Sequence, residues 1–187
     1  MSNNPSLAAW FMSCTVLGGA LAQWPLGFLS DKIGRRKTLA LASTTCAIVA
    51  AIIWTFSGTL SFTAVNVLGG IWGFFAFPLY AIAVAHANDY AEPTDYVMVS
   101  SGLLLMYGAG AVIGPIVATV VISMTDYAGL YILTAAVHVL LALYVLVRIG
   151  SRSSAPQDHH IPFSDALATA HTVSQVYEEE FLQNAEE

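Results

Sequence analysis

Charge is absent from most of this chain, and where it is absent constrains the fold more than any motif. Residues 1–30, 38–88, 96–125 and 127–147 contain no Asp, Glu, Lys or Arg. A helix needs about 20 mostly apolar residues to cross a membrane, because the hydrocarbon core is about 30 Å thick and a helix rises about 1.5 Å per residue. All four stretches are long enough. The second would reach roughly 75 Å as one straight helix, so it must fold back once, and the count becomes five crossings. Composition agrees: 57% of the 187 residues are hydrophobic and 10% charged, against about 25% charged in soluble proteins. A disordered chain is excluded and a soluble enzyme disfavoured. The apolar runs are continuous, whereas a membrane strand alternates over about ten residues. A helix also satisfies its backbone polar groups within one segment.

The expected fold is therefore an all-α polytopic membrane bundle. Residues 1–150 form the bundle, with spans at about 7–29, 38–57, 61–86, 97–124 and 128–148. The connections are short: a basic loop at 30–37, turns at 57–59 and 125–127, and an acidic loop at 87–96. Residues 151–187 read as a linker followed by an amphipathic helix over 163–184, in which Phe163, Leu167, Ala170, Val173, Tyr177 and Phe181 recur at three- and four-residue steps. The net charge of −6 belongs wholly to this tail. Residues 1–150 balance Lys32, Arg35, Arg36, Lys37 and Arg148 against Asp31, Asp89, Glu92, Asp95 and Asp126. The tail is too acidic to favour an anionic leaflet. No basic patch suggests nucleic acid, and no basic segment precedes the first apolar run as in a signal peptide.

Little points to catalysis or to a cofactor. Cys14 and Cys46 lie in apolar stretches and read as buried free thiols. His159-His160 has no further ligands nearby, so no metal site is expected, and Gly34-Arg35-Arg36-Lys37 lacks the spacing of a phosphate-binding loop. Small residues at packing distance, Gly69 with Gly73 and Gly110 with Gly114, let helix backbones approach closely. Pro25, Pro78 and Pro115 fall within spans and can bend them.

One segment is specific: Gly27-Phe28-Leu29-Ser30-Asp31-Lys32-Ile33-Gly34-Arg35-Arg36-Lys37. Gly27 permits close helix contact and Gly34 a tight turn. Asp31 can accept hydrogen bonds from Arg35, from Arg36, or from a nearby helix end. Such a loop works either as a conformational latch or as a plain basic anchor, and spacing alone does not separate the two.

This segment resembles the loop signature of the major facilitator superfamily, which lies between helices two and three and, in weaker form, between helices eight and nine. Gln23-Trp24-Pro25 is similar to the second-half copy in a bacterial inner-membrane branch. Tyr107-Gly108-Ala109-Gly110 with Gly114-Pro115 resembles helix eleven of that branch, and Pro78 with Tyr80 resembles helix ten. The resemblance covers about residues 7–148. It implies helices eight to twelve of a twelve-helix secondary transporter, with the first half and helix seven lying outside this chain. The implied partners are membrane lipid, an unidentified small solute, protons, and the missing half or a second copy. Gln23, Tyr80, Tyr107 and His86 are then candidates for the transport pathway, since polar residues within spans are functional hypotheses. No carboxylate lies near the centre of a span. The competing reading is a non-transporting regulator or assembly protein built from a transporter half.

Lys32, Arg35, Arg36 and Lys37 precede span two, while Arg148 and Arg152 follow span five. Four crossings separate the groups, so all six cations share one side, which the positive-inside rule makes the cytoplasm. The amino terminus is then outside. Reporter fusions at Thr59 and Gln157 are expected to report opposite sides of the membrane; the same side for both would refute the five-span topology.

Overall fold

The computed structural model describes residues 5–151. The expected tail helix at 163–184 lies outside the described residues. Six α-helices follow one another: α1 (Pro5–Ile33), α2 (Arg35–Thr55), α3 (Phe62–Ala76), α4 (Pro78–Asn88), α5 (Tyr96–Met124) and α6 (Gly129–Ser151), with one 3-10 turn at Pro93–Asp95. No strand occurs among the described residues. α3 and α4 make a single crossing, so five segments are long and apolar enough to span a membrane.

Two connections differ from expectation. The basic loop at 30–37 is almost entirely helical, because α1 continues to Ile33 and α2 begins at Arg35. Gly34 alone joins them. Its φ of 97° is the one positive φ among the described residues, and it reverses the chain within a single residue at no steric cost. The third crossing is divided rather than continuous. Pro78 has no N–H to continue the ladder and opens α4, while the Phe77 amide closes α3 by donating to the Gly73 carbonyl at 3.1 Å. Phe77 keeps helical torsions (φ −67°, ψ −38°), so the path continues across the membrane without reversing. Pro25 and Pro115 lie inside continuous helices.

The turns before α3 and α6 are built by side chains. Ser61 Oγ accepts the Ala64 amide at 3.2 Å and caps α3. Asp126 Oδ1 accepts the amides of Ala128 (2.8 Å) and Gly129 (3.2 Å) at the start of α6.

α2 is the most enclosed helix and touches α1, α3, α4 and α6. Its buried positions are largely small: Ala40, Ala42, Ser43, Cys46, Ala47 and Ala50. Small side chains allow close helix approach where no hydrophobic drive operates between helices in lipid. α6 lies along α2, α3 along α1, and α5 sits at the edge against α4 and α6. A buried cluster of Ala22, Leu26, Leu39, Ala40, Ile82, Ala85 and Val145 ties α1, α2, α4 and α6 together. Both cysteines are free thiols.

The α1–α3 seam is a backbone contact. A Cβ on Gly18 would stand 2.1 Å from the Gly70 carbonyl oxygen, and one on Gly73 would stand 2.0 Å from that of Thr15. Gly69 meets the Phe11 ring in the same way, and Gly19 the Phe77 ring. Gly110 and Gly114 differ, since nothing lies within 4 Å of a Cβ placed on either. No residue of α5 is buried, so among the described residues no helix covers this face.

Gly73→Ala and Gly18→Ala are expected to destabilise the chain by about 1–3 kcal/mol through overpacking against backbone. Gly110→Ala and Gly114→Ala should stay within about 0.5 kcal/mol. Thermal unfolding of the four variants in detergent measures the contrast.

Candidate conformational site at the Gly27–Lys37 end

The one-residue reversal at Gly34 sets the whole site. The Gly34 amide donates to the Ser30 carbonyl at 3.1 Å, and the Gly34 carbonyl accepts from the Thr38 amide at 3.1 Å and from Thr38 Oγ1 at 3.2 Å. Asp31 is thus placed on the last turn of α1 and Arg35 on the first turn of α2, while Gly27 lies buried one turn earlier.

Arg35 is 3% exposed. Its Nη1 donates to Asp31 Oδ1 and, at 3.2 Å, to Ser30 Oγ. Its Nε donates to Asp89 Oδ2 at 3.4 Å. Asp89 is 2% exposed and follows α4 directly; the Asp31 side chain is 33% exposed. One guanidinium therefore joins α1, α2 and the end of α4. The planar, permanently charged fork of arginine suits this, because its donors point in fixed directions toward separate carboxylates.

Arg36 serves a different set of elements. It donates to the Tyr90 hydroxyl and, at 3.4 Å, to the Arg148 carbonyl in the last turn of α6. Its guanidinium lies 5.7 Å from the Tyr90 ring centroid. The His86 ring stands edge-on to the Tyr90 ring, with centroids 5.2 Å apart. A cation at a helix carboxyl end is favoured by the aligned peptide dipoles. Two adjacent arginines thus hold α2 to α4 and to α6.

Of the pathway candidates, Tyr80 and Tyr107 come together, with ring centroids 5.1 Å apart and planes at 53°. Tyr107 is 59% exposed and Tyr80 half-buried. Gln23 is half-buried on α1. His86, six residues beyond Tyr80 on α4, belongs to the Arg36–Tyr90 group and not to the tyrosine pair. Other polar side chains within spans bond their own helices: Asn66 to the Phe62 carbonyl (2.8 Å), Ser101 to that of Val97 (2.7 Å), and His138 Nδ1 to that of Thr134 (2.8 Å).

Asp89, Tyr90 and Ser30 are members of the site that the sequence reading did not single out. The available signal was an acidic residue at the end of the third crossing, on the same side as the basic segment.

A bundle of long apolar helices, joined by a buried arginine at a Gly–x–Leu–x–Asp–x–x–Gly–Arg–Arg junction, is a polytopic membrane fold. The sequence profile of the Major Facilitator Superfamily matches residues 2–177, and the chain belongs to that superfamily. It is 31% identical over 147 residues to an "Uncharacterized MFS-type transporter YcaD" of Salmonella typhi. It is 30% identical over 148 residues to proteins of the same description in Shigella flexneri serotype 5b (strain 8401) and Escherichia coli O139:H28 (strain E24377A / ETEC). Each match covers 79% of this chain, and the chain spans 37% of the length of these curated relatives. It is an integral membrane protein.

Removing one partner of a buried ion pair strands the other charge, at a cost of about 3–5 kcal/mol; the Asp31 side chain is a third exposed, so water can replace its carboxylate beside Arg35. Asp89→Ala is therefore expected to destabilise the bundle well beyond Asp31→Ala. Comparing the two unfolding midpoints in detergent checks the order.

Proposed function

We propose that this chain forms part of the second half of a secondary transporter, moving a small solute across a bacterial inner membrane by alternating access. In this reading the amino terminus faces outward and the Gly27–Lys37 end faces the cytoplasm. The observation that carries the proposal is Arg35, buried between carboxylates from two separate segments at one end of the bundle. An ion pair in that position stabilises one arrangement of α1, α2 and α4 and must be dismantled to reach another. Gly27, Asp31, Gly34, Arg35 and Arg36 act as the latch. Tyr80, Tyr107 and Gln23 contribute to the pathway, and His86, beside the latch, is a candidate for proton exchange. The chemistry is binding and conformational change, without bond making. Support for the reading comes from membership of the superfamily and from the exposed faces of α1 and α5.

Alternating access rocks two bundles about a site at their interface, and five crossings supply only part of one. The α5 face bearing Gly110, Gly114 and Pro115 is the surface that the remaining helices, or a second copy, would cover. Small residues there favour close helix contact.

Purified chain reconstituted into vesicles with an imposed proton gradient and a broad solute panel is expected to show no saturable uptake alone. Uptake is expected when the remaining two-thirds of a relative is co-reconstituted. In that combination Asp31→Asn should impair uptake while leaving expression intact, and Arg35→Lys should not restore it fully, since an ammonium does not replace the fork. Gradient-driven uptake by this chain alone would overturn the partial-bundle reading. No uptake in any combination would favour a regulator or assembly role.

A further inference from the structure

Asn88 ends α4 one residue before Asp89, and the two are enclosed to the same degree, at 0% and 2% exposed. Their hydrogen bonding differs. Asp89 accepts from Arg35 across 54 residues, whereas neither Oδ1 nor Nδ2 of Asn88 meets a partner among the described residues. The enclosure removes the usual remedy. A side chain with no exposed surface has no water-sized space beside it, so an ordered water cannot stand in for the missing partners.

The ordinary reasons for an asparagine at a helix end do not apply to Asn88. Asparagine suits such positions when it adopts left-handed torsions, but among the described residues only Gly34 has a positive φ. An asparagine within a helix can instead bond back to the carbonyl four residues earlier. Asn66 does so, donating to Phe62, and Asn88 does not. The carboxamide of Asn88 has therefore given up its bonds to water and gained none in exchange, which is unfavourable, and more so where the surroundings are of low dielectric. Any movement that frees the end of α4 admits water to both residues: the ion pair of Asp89 is weakened and the carboxamide of Asn88 is solvated. The two neighbours act in opposite directions on the same arrangement.

We infer that Asn88 is a counterweight to the Arg35–Asp89 pair, a positioning residue that raises the free energy of the enclosed arrangement and so brings it closer to one in which the end of α4 is free. Asp89 holds the latch, and Asn88 keeps it from being held too firmly to open. This inference rests on the reading of the Gly27–Lys37 end as a latch and adds to it a residue from outside that segment.

The sign of an apolar replacement tests the inference. Leucine has as many side-chain heavy atoms as asparagine and valine has fewer, so the two together separate loss of the carboxamide from overpacking. With the full chain in lipid discs, at least one of Asn88→Val and Asn88→Leu is expected to raise the unfolding midpoint. The same variant should slow hydrogen exchange several-fold at the amides of Gly34, Thr38 and Asp89, which donate to Ser30, Gly34 and Ala85 at this end. Asp89→Ala is expected to speed exchange at Gly34 and Thr38. In N88V/D89A the valine should have less effect than in the native background, because the arrangement it favours is already weakened. If both apolar variants lower the midpoint and speed exchange, the inference is overturned, since a bonded or merely space-filling asparagine behaves that way. An equal effect of valine with and without Asp89 overturns it too. Where Asp89→Ala speeds exchange and the apolar variants do the same, the counterweight falls and the latch stands. Where Asp89→Ala changes nothing, the latch reading itself falls and takes the counterweight with it.

Discussion

A guanidinium buried within a few per cent of complete enclosure cannot be left without counter-charges, and the arrangement of this bundle follows from meeting that demand. Arg35 sits at the first position of α2, the helix that every packed neighbour except α5 touches. Its carboxylate partners come from the end of α1, four residues earlier, and from beyond α4, 54 residues later. Desolvating Arg35 and Asp89 is costly, and replacement by apolar residues often gives a more stable protein. What the ion cluster confers is a defined relation among three helix ends, held by interactions that are strong when complete and unfavourable when half made.

The opposite half of the bundle is held differently. Along α1 and α3, glycines bring backbone against backbone, with Gly18 on the Gly70 carbonyl and Gly73 on that of Thr15. Such a seam is steric and short-ranged. It resists sliding or rotation of either helix, because any turn brings a side chain where only hydrogen fits. One end of the bundle is therefore joined by ion pairs, and the other half by backbone packed on backbone.

Much of this organisation is visible in the sequence because membrane insertion writes itself into charge distribution. Four uncharged stretches and one length argument give five crossings, and five are found. The signature segment directs attention to Asp31 and Arg35 through their four-residue spacing. Asp89 is harder to see, since an ion pair spanning 54 residues leaves no periodicity, and four acidic residues of the bundle sit at this end. The segment 30–37 reads as a loop from its charge, yet charged residues at a membrane surface are as compatible with helix as with coil; only the torsion at Gly34 decides. Gly18 and Gly19 escape notice beside Gly69 and Gly73 because glycine is common in such helices and its partner lies on another segment. For Gly110 and Gly114 the sequence names a packing motif, while the partner surface is absent among the described residues.

The division of the third crossing at Pro78 has a geometric consequence. α4 is a rod of eleven residues, about 16 Å long, jointed to α3 at the point where the Phe77 ring rests on Gly19. Tyr80 stands near the joint and Asp89 just beyond the free end. The proline begins this helix afresh beside Gly19, and just past its far end lies the charge that Arg35 grips, so one short element ties the middle of the bundle to its charged end.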